Sequence, residues 1–166
     1  MAETVQRKSF WRYAIFTVPL ILGVGFLMGQ LSNSGYGNDW FDSLRKPALM
    51  PPGWVFGVVW STLYIFLGIA IALVLSEERV RGWTLAVGLF VAQMLLNFSW
   101  SPVFFGAHQP EPALFIIILM LALSIAATFL FGRFNRAAAW LMVPYLVWLS
   151  FASVLNYRII ELNPGV

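Results

Sequence analysis

Three polar side chains recur at helical spacing inside a long apolar run, residues 92–106. Gln93, Asn97 and Ser101 follow one another at intervals of four residues, and the indole of Trp100 falls on the same helical face. An amide left unpaired in hydrocarbon costs roughly 2 to 7 kcal/mol, so these groups must face another helix or a ligand. Amides orient a ligand by hydrogen bonds, and an indole stacks on a flat ring.

Two further segments combine aromatic side chains with small or polar ones. In the first, Trp60 and Tyr64 share a helical face with Gly57. In the second, the shared face consists of Tyr145, Trp148, Ala152 and Asn156. Three such faces, if they converge, enclose a flat and mostly apolar pocket with few polar groups, which is the usual composition of a small-molecule site. The competing interpretation is that the amides simply join helices to one another.

The remaining reactive residue types form no catalytic constellation. His108 is the one histidine and lies in a predicted loop, where a solvated side chain is favoured over a haem ligand. The sequence offers no Ser–His–acid triad, no glycine-rich phosphate loop and no cysteine. No Asp, Glu, Lys, Arg or His falls within the four apolar runs after the first, which disfavours ion-coupled pumps. We therefore predict no metal site and no required cofactor.

The elements that must position these faces are membrane-spanning helices. Of the 166 residues, 60% are hydrophobic and only 10% are charged, a composition typical of integral membrane proteins. Five apolar runs are long enough to span a bilayer as helices: about residues 13–31, 54–75, 83–105, 113–131 and 137–157. Because three of the four connections are short, we predict one all-α domain, residues 1–166, with consecutive helices antiparallel.

The positions of the Lys and Arg residues predict how the protein is oriented in the membrane, and they do not indicate nucleic-acid binding. Seven of the ten Lys and Arg residues fall on the N-terminal side of the membrane: Arg7, Lys8, Arg12, Arg79, Arg81, Arg133 and Arg136. By the positive-inside rule this side, with the N-terminus, is cytoplasmic if the host is an inner membrane.

The first connection, residues 32–53, is the one long loop. Asn38 or Asp39 is suited to cap a short helix there, and Pro47 to end it. The loop carries too many large apolar side chains to be solvated, so we expect it to fold as a lid over one end of the bundle. The alternative is an interfacial anchor that lies on the headgroups.

Pairs of small residues four apart allow helices to approach closely. We favour Gly88 and Ala92, in the third span, as the contact of a homodimer. Similar pairs occur in three other spans: Gly25 and Gly29, Gly68 and Ala72, and Ala122 and Ala126.

Three motifs, together with the five apolar spans, resemble one known family. They are WFDSLRKPALMPPGWVFGVVWSTLY, AQMLLNFSWSPVFFGAHQ and VPYLVWLSFASVLNY, and the family is that of TspO and translocator protein, also called tryptophan-rich sensory proteins or peripheral-type benzodiazepine receptors. The resemblance implies a five-helix bundle, commonly a homodimer, that binds porphyrins, haem-related tetrapyrroles, sterols and isoquinoline or benzodiazepine drugs. The pocket that it implies uses Trp60, Tyr64, Asn97, Trp100, Trp148 and Ala152, under a lid that includes Pro51.

The chain departs from the family pattern in places. Phe41 stands where the family usually has Tyr, although the ring remains a candidate ligand contact. Arg158 directly follows Tyr157, so the spacer of the cholesterol pattern is missing and sterol binding is less favoured than tetrapyrrole binding. The primary hypothesis is therefore a receptor or carrier for tetrapyrroles. The alternatives are a light-dependent porphyrin-degrading enzyme with Trp60 and Trp148 as redox-active rings, and a regulatory scaffold.

Overall fold

The computed structural model describes residues 9–165, and this part of the chain forms helices and no strand. In chain order the helices are α1 (Phe10–Leu31), α2 (Asp39–Ser43), α3 (Gly53–Ser76), α4 (Trp83–Ser101), α5 (Pro110–Phe134) and α6 (Arg136–Leu162). All except α2 are long and apolar enough to cross a membrane. The predicted five-helix all-α architecture is confirmed.

The five long helices form a closed ring. The α3 helix packs against α1 and α6, the α5 helix packs against α4 and α6, and a smaller contact between α1 and α4 completes the circuit. Leu67, Met142 and Leu149 are fully buried at the centre of the apolar core. Side chains on the outer surface, such as Phe115 and Trp140, are large, apolar and exposed, as expected for helices that face lipid.

Close approach between α1 and α3 depends on Gly68. A Cβ atom at this position would lie 2.7 Å from Val18 Cα, and Thr17 Oγ1 donates a hydrogen bond of 2.8 Å to the Gly68 carbonyl. Gly88, by contrast, has no neighbouring atom within 4 Å of a built Cβ and lies on the exposed outer face of α4. Gly68 therefore serves packing within the chain, whereas Gly88 is free to contact something outside it.

A turn of π-helix, Pro102–Gly106, extends α4. Pro102 cannot donate to the Phe98 carbonyl, and beyond it the Ala107 amide donates to the Pro102 carbonyl at 2.8 Å, five residues back. The bend predicted at Pro102 thus takes the form of a wide turn. It directs Phe104 and Phe105 into the bundle, where both are buried.

The last helix is longer than the apolar run predicts, because it continues to Leu162. Beyond Tyr157 it becomes amphipathic: Arg158 and Glu161 form an ion pair on the exposed side, while Ile159 is buried beneath the first loop. Hydropathy marks the part of a helix that lies in lipid, so it misses an end that packs against protein.

Candidate functional site

The first loop, residues 32–52, lies across one end of the helix ring, and we call it the lid. Its short helix α2 begins as predicted at an Asn38 cap, since Asn38 Oδ1 accepts a 3.0 Å hydrogen bond from the Phe41 amide. Phe41 and Leu44 are buried against the π-helical turn, Ala113 and Ile159. Lys46 Nζ donates to the Phe41 carbonyl at 2.7 Å and lies over the Phe41 ring, which satisfies carbonyls at the end of α2.

Beneath the lid is a cavity of about 500 Å³, bounded mainly by α1, α3, α4 and α6. Tyr36, Phe41 and Met50 of the lid contribute to its wall. None of the described residues that line it is an Asp, Glu, Lys, Arg or His. The volume and the apolar, aromatic wall match those of small-molecule sites, which typically occupy about 300–1,000 Å³.

Most of the candidate residues meet in this cavity. Eight of the eleven line it, namely Phe41, Trp60, Tyr64, Asn97, Trp100, Trp148, Ala152 and Asn156. The faces of the second, third and last spans therefore do converge on one space. That these side chains bind a ligand remains a prediction.

The aromatic rings of the wall pack edge to face and in stacks. The rings of Trp60 and Trp148 are 6.5 Å apart at 89°, and Tyr64 is 5.3 Å from Trp60. At the lid end, Trp100 stacks on Phe104 at 4.9 Å and 18°. Each ring is fixed by another ring, so the wall presents preformed aromatic surfaces to an occupant.

A chain of hydrogen bonds runs from the cavity wall into the core. Tyr64 Oη donates to Asn97 Oδ1 at 2.8 Å, Asn97 Nδ2 donates to Tyr145 Oη at 2.9 Å, and Tyr145 Oη donates to Gln93 Oε1 at 2.8 Å. Ser124 of α5 also donates to Gln93 Oε1, at 3.3 Å. These hydrogen bonds join α3, α4, α5 and α6. Both interpretations of the amide face therefore apply to Asn97, because its side chain lines the cavity and also links helices.

Gln93 and Tyr145 lie behind the wall rather than on it. Both side chains are fully buried, and neither lines the cavity. Gln93 shares a helical face with Asn97 but is one turn deeper, where α5 and α6 close around it. Its Nε2 is buried with no hydrogen-bond acceptor among the described residues. Helical periodicity therefore predicted the correct face of α4 for Gln93, but it could not predict that the side chain lies below the cavity wall.

Trp100 and Asn156 hold the lid end of the cavity in shape. Trp100 Nε1 donates to Asn156 Oδ1 at 3.2 Å, and Asn156 Nδ2 donates to the Pro110 carbonyl at 2.8 Å. Since Pro110 begins α5, one amide fixes both an indole of the wall and the start of a neighbouring helix.

Two further candidates, Pro51 of the lid and His108 of the loop between α4 and α5, do not line the cavity. Pro51 does not line it, but its carbonyl accepts a 3.2 Å hydrogen bond from Tyr36 Oη, so it acts on the wall through Tyr36. His108 is exposed and stacks on Trp40 at 4.5 Å. No group of three or more potential metal ligands occurs within residues 9–165.

Helix α1 also contributes to the cavity wall, which the sequence did not predict. Gly25 lines the cavity, and a Cβ there would lie 2.2 Å from Tyr64 Cε2. The glycine therefore makes room for the Tyr64 ring. The signal in the sequence was the Gly25 and Gly29 pair, which shows that a close approach occurs but does not show which ring fills the space.

Comparison with known proteins places the chain among relatives. A model of the TspO/MBR family matches residues 16–162. The chain is 38% identical over 152 residues to the tryptophan-rich protein TspO of Chlorobaculum tepidum, covering 89% of this chain and 93% of that protein. It is also 38% identical over 146 residues to human translocator protein, covering 86% and 85%, and 36% identical over 128 residues to protein CrtK of Rhodobacter capsulatus, covering 76% and 79%. The chain therefore belongs to the TspO/MBR family.

Proposed function

We propose that the protein is a multi-pass membrane receptor or carrier that binds a porphyrin-type tetrapyrrole, porphyrin or haem, in the cavity beneath its lid. Names such as translocator protein and tryptophan-rich sensory protein, borne by relatives, support a receptor or transport role. The observation that carries the proposal is the aromatic cavity of about 500 Å³ beneath the lid, with its uncharged wall.

The chemistry of the wall favours a flat, largely neutral occupant. Indole and phenol rings stack on an extended π system, and Asn97 and Asn156 supply a few polar contacts. Burial of an unpaired charge is costly, and the described lining residues offer no opposite charge. The ionised substituents of a tetrapyrrole therefore remain near the rim. Flat isoquinoline or benzodiazepine drugs suit the same wall, whereas a sterol, which lacks a π system, suits it less well.

The test uses quenching of tryptophan fluorescence by protoporphyrin IX in the purified protein. Trp148→Leu removes one stacking surface, and we expect it to weaken binding by about ten-fold, since an aromatic contact contributes roughly 0.5 to 1.5 kcal/mol beyond the area that it buries. Trp140→Leu is the matched control, because Trp140 lies on the same helix but is exposed and does not line the cavity. Equal dissociation constants for the two variants would contradict the proposal.

A second candidate function is light-dependent oxidative breakdown of the bound porphyrin, in which dioxygen accepts the electrons that the porphyrin loses. It is favoured by the placement of two oxidisable indoles, Trp60 and Trp148, edge to face in the cavity wall. Under steady illumination, a variant with both residues changed to Phe should degrade porphyrin more slowly than the parent protein. Identical decay in the two proteins would reject the enzymatic role.

We further propose that two copies associate in the bilayer through α4, with Gly88 and Ala92 at the contact. Support comes from the open space beside Gly88 and from the exposed side chains of Val91 and Leu95 on the same outer face. The cationic end of the bundle, with Arg79 and Arg133, is proposed to face the cytoplasm if the host is an inner membrane. Arg7 and Lys8, which entered the same argument, lie outside the described residues.

A further inference from the structure

The C-terminal end of α6 holds the lid by a paired hydrogen bond. Asn163 Oδ1 accepts from the Arg45 amide at 2.9 Å, and Asn163 Nδ2 donates to the Arg45 carbonyl at 3.0 Å. The same Nδ2 donates to the Ile159 carbonyl at 2.8 Å. One side chain therefore joins the peptide of the lid to the last turn of a spanning helix, across 118 residues of sequence.

The position of this pair in the lid matters. Arg45 directly follows Leu44, which with Phe41 inserts into the apolar pocket formed by the π-helical turn, Ala113 and Ile159. Apolar contacts hold these side chains without fixing a direction, whereas two opposed hydrogen bonds to the backbone N–H and C=O of one residue fix both distance and orientation. Apart from bonds to the adjoining ends of α1 and α3, the other hydrogen bond from the lid to the spanning helices among the described residues joins Ser34 Oγ and Ser101 Oγ at 2.8 Å, at the far end of the lid.

The ends of the lid differ in backbone freedom. Near α1, the lid contains Asn33, Gly35 and Gly37 with positive φ angles of 47°, 101° and 93°. Near α3 it contains Pro47, Pro51 and Pro52, whose φ angles are restricted. Motion of the lid is therefore easiest at the α1 end, while the segment carrying Arg45 moves as a unit when its contact with α6 breaks.

From this geometry we infer that Asn163 is a positioning residue that latches the lid over the cavity, and that the rate of lid opening is set by its two hydrogen bonds to the backbone of Arg45. The latch recognises backbone atoms, so it does not depend on the Arg45 side chain. For ligand exchange the inference rests on the proposed function, but opening of the lid is measurable without any ligand.

The absence of cysteine from the chain allows a direct measurement. Ala152→Cys places a single thiol in the cavity wall under the lid, and a charged methanethiosulfonate reagent, which does not enter hydrocarbon, labels it when the lid opens. Adding Asn163→Ala should accelerate labelling by about ten-fold, the effect of losing hydrogen bonds that each contribute modestly. Adding Asn163→Asp, which replaces the donor with a carboxylate oxygen facing the Arg45 and Ile159 carbonyls, should accelerate labelling at least as much.

Two controls separate a latch from general loosening. Asn135→Ala makes the same change at the other end of α6, where Asn135 caps the helix and donates to Glu77; it should lower the melting temperature without changing the labelling rate. Arg45→Ala should also label at the parent rate.

The inference is overturned if Asn163→Ala labels at the parent rate, or if Asn135→Ala accelerates labelling equally. If Asn163→Ala does not fold, labelling of Asn163→Asp at the parent rate would overturn the inference instead. Protoporphyrin IX titration of the protein with Ala152 unchanged runs in parallel. Absence of saturable quenching there would count against the proposed function and would leave the labelling result intact.

Discussion

Gly25 offers a sharp test of how α1 shapes the cavity. In Gly25→Ala the new Cβ would lie 2.2 Å from Tyr64 Cε2, whereas ordinary contacts begin at 3.4 Å. The ring must therefore move by about 1.2 Å (3.4 minus 2.2). A displacement of that size is enough to break the 2.8 Å hydrogen bond from Tyr64 Oη to Asn97 Oδ1.

The energies can be compared term by term. Overpacking costs about 1 to 3 kcal/mol, and the lost hydrogen bond adds about 0.6 kcal/mol, the average for such bonds within a membrane protein. Alanine regains up to about 1 kcal/mol over glycine through helix propensity. With the full alanine gain, we therefore expect Gly25→Ala to lower the free energy of unfolding by about 0.6 to 2.6 kcal/mol and to weaken protoporphyrin IX binding, since Tyr64 forms part of the wall.

Gly29→Ala is the matched control, since Gly29 lies one turn further along α1, also lines the cavity, and has nothing within 4 Å of a built Cβ. It should be neutral or stabilising and should leave the affinity nearly unchanged. Thermal unfolding in detergent and quenching titrations of both variants provide the measurements. Equal stabilities and affinities would refute the claim that α1 makes room for Tyr64.

Two further predictions concern other parts of the bundle. Asn156→Leu leaves the Pro110 carbonyl and Trp100 Nε1 without their partners, so it should lower the free energy of unfolding by about 1 to 3 kcal/mol; an unchanged melting curve would contradict this role. Gly88→Leu adds bulk to the proposed dimer contact on α4 and should reduce the dimer fraction measured by cross-linking in liposomes, whereas Ile125→Leu on the exposed face of α5 should not. An undiminished dimer fraction in the Gly88 variant would place the contact elsewhere.

Hydropathy and helical spacing predicted most of the architecture, because a bilayer forces every spanning backbone to satisfy its own hydrogen bonds and therefore to be helical. The same spacing identified the helical faces that carry Trp60, Asn97 and Trp148, since side chains three and four apart share a face; that these faces meet in one cavity was only a hypothesis at that point. These predictions depend on residues that are close together in the sequence, and such patterns can be recognised in a single sequence.

The rest depended on neighbours that are distant in the sequence. Nothing near Gly25 indicates that the ring of Tyr64 lies against it, and nothing near Gln93 indicates that α5 and α6 seal it from the cavity. The π-helical turn after Pro102 is one of several backbone conformations that accommodate the missing N–H of a proline, and the local sequence does not indicate which of them occurs. Such features follow from packing between helices, which periodicity does not determine.

The direction of the hydrogen bond from Tyr64 to Asn97 determines whether Tyr64 can donate or accept a hydrogen bond on the cavity side. The hydroxyl of Tyr64 has one hydrogen, and Asn97 Oδ1 already receives it. Toward the cavity, the Tyr64 oxygen can therefore act only as a hydrogen-bond acceptor. A ligand with an N–H or O–H group next to Tyr64 gains a hydrogen bond, whereas a ligand with a carbonyl oxygen there is repelled by the lone pairs of the hydroxyl.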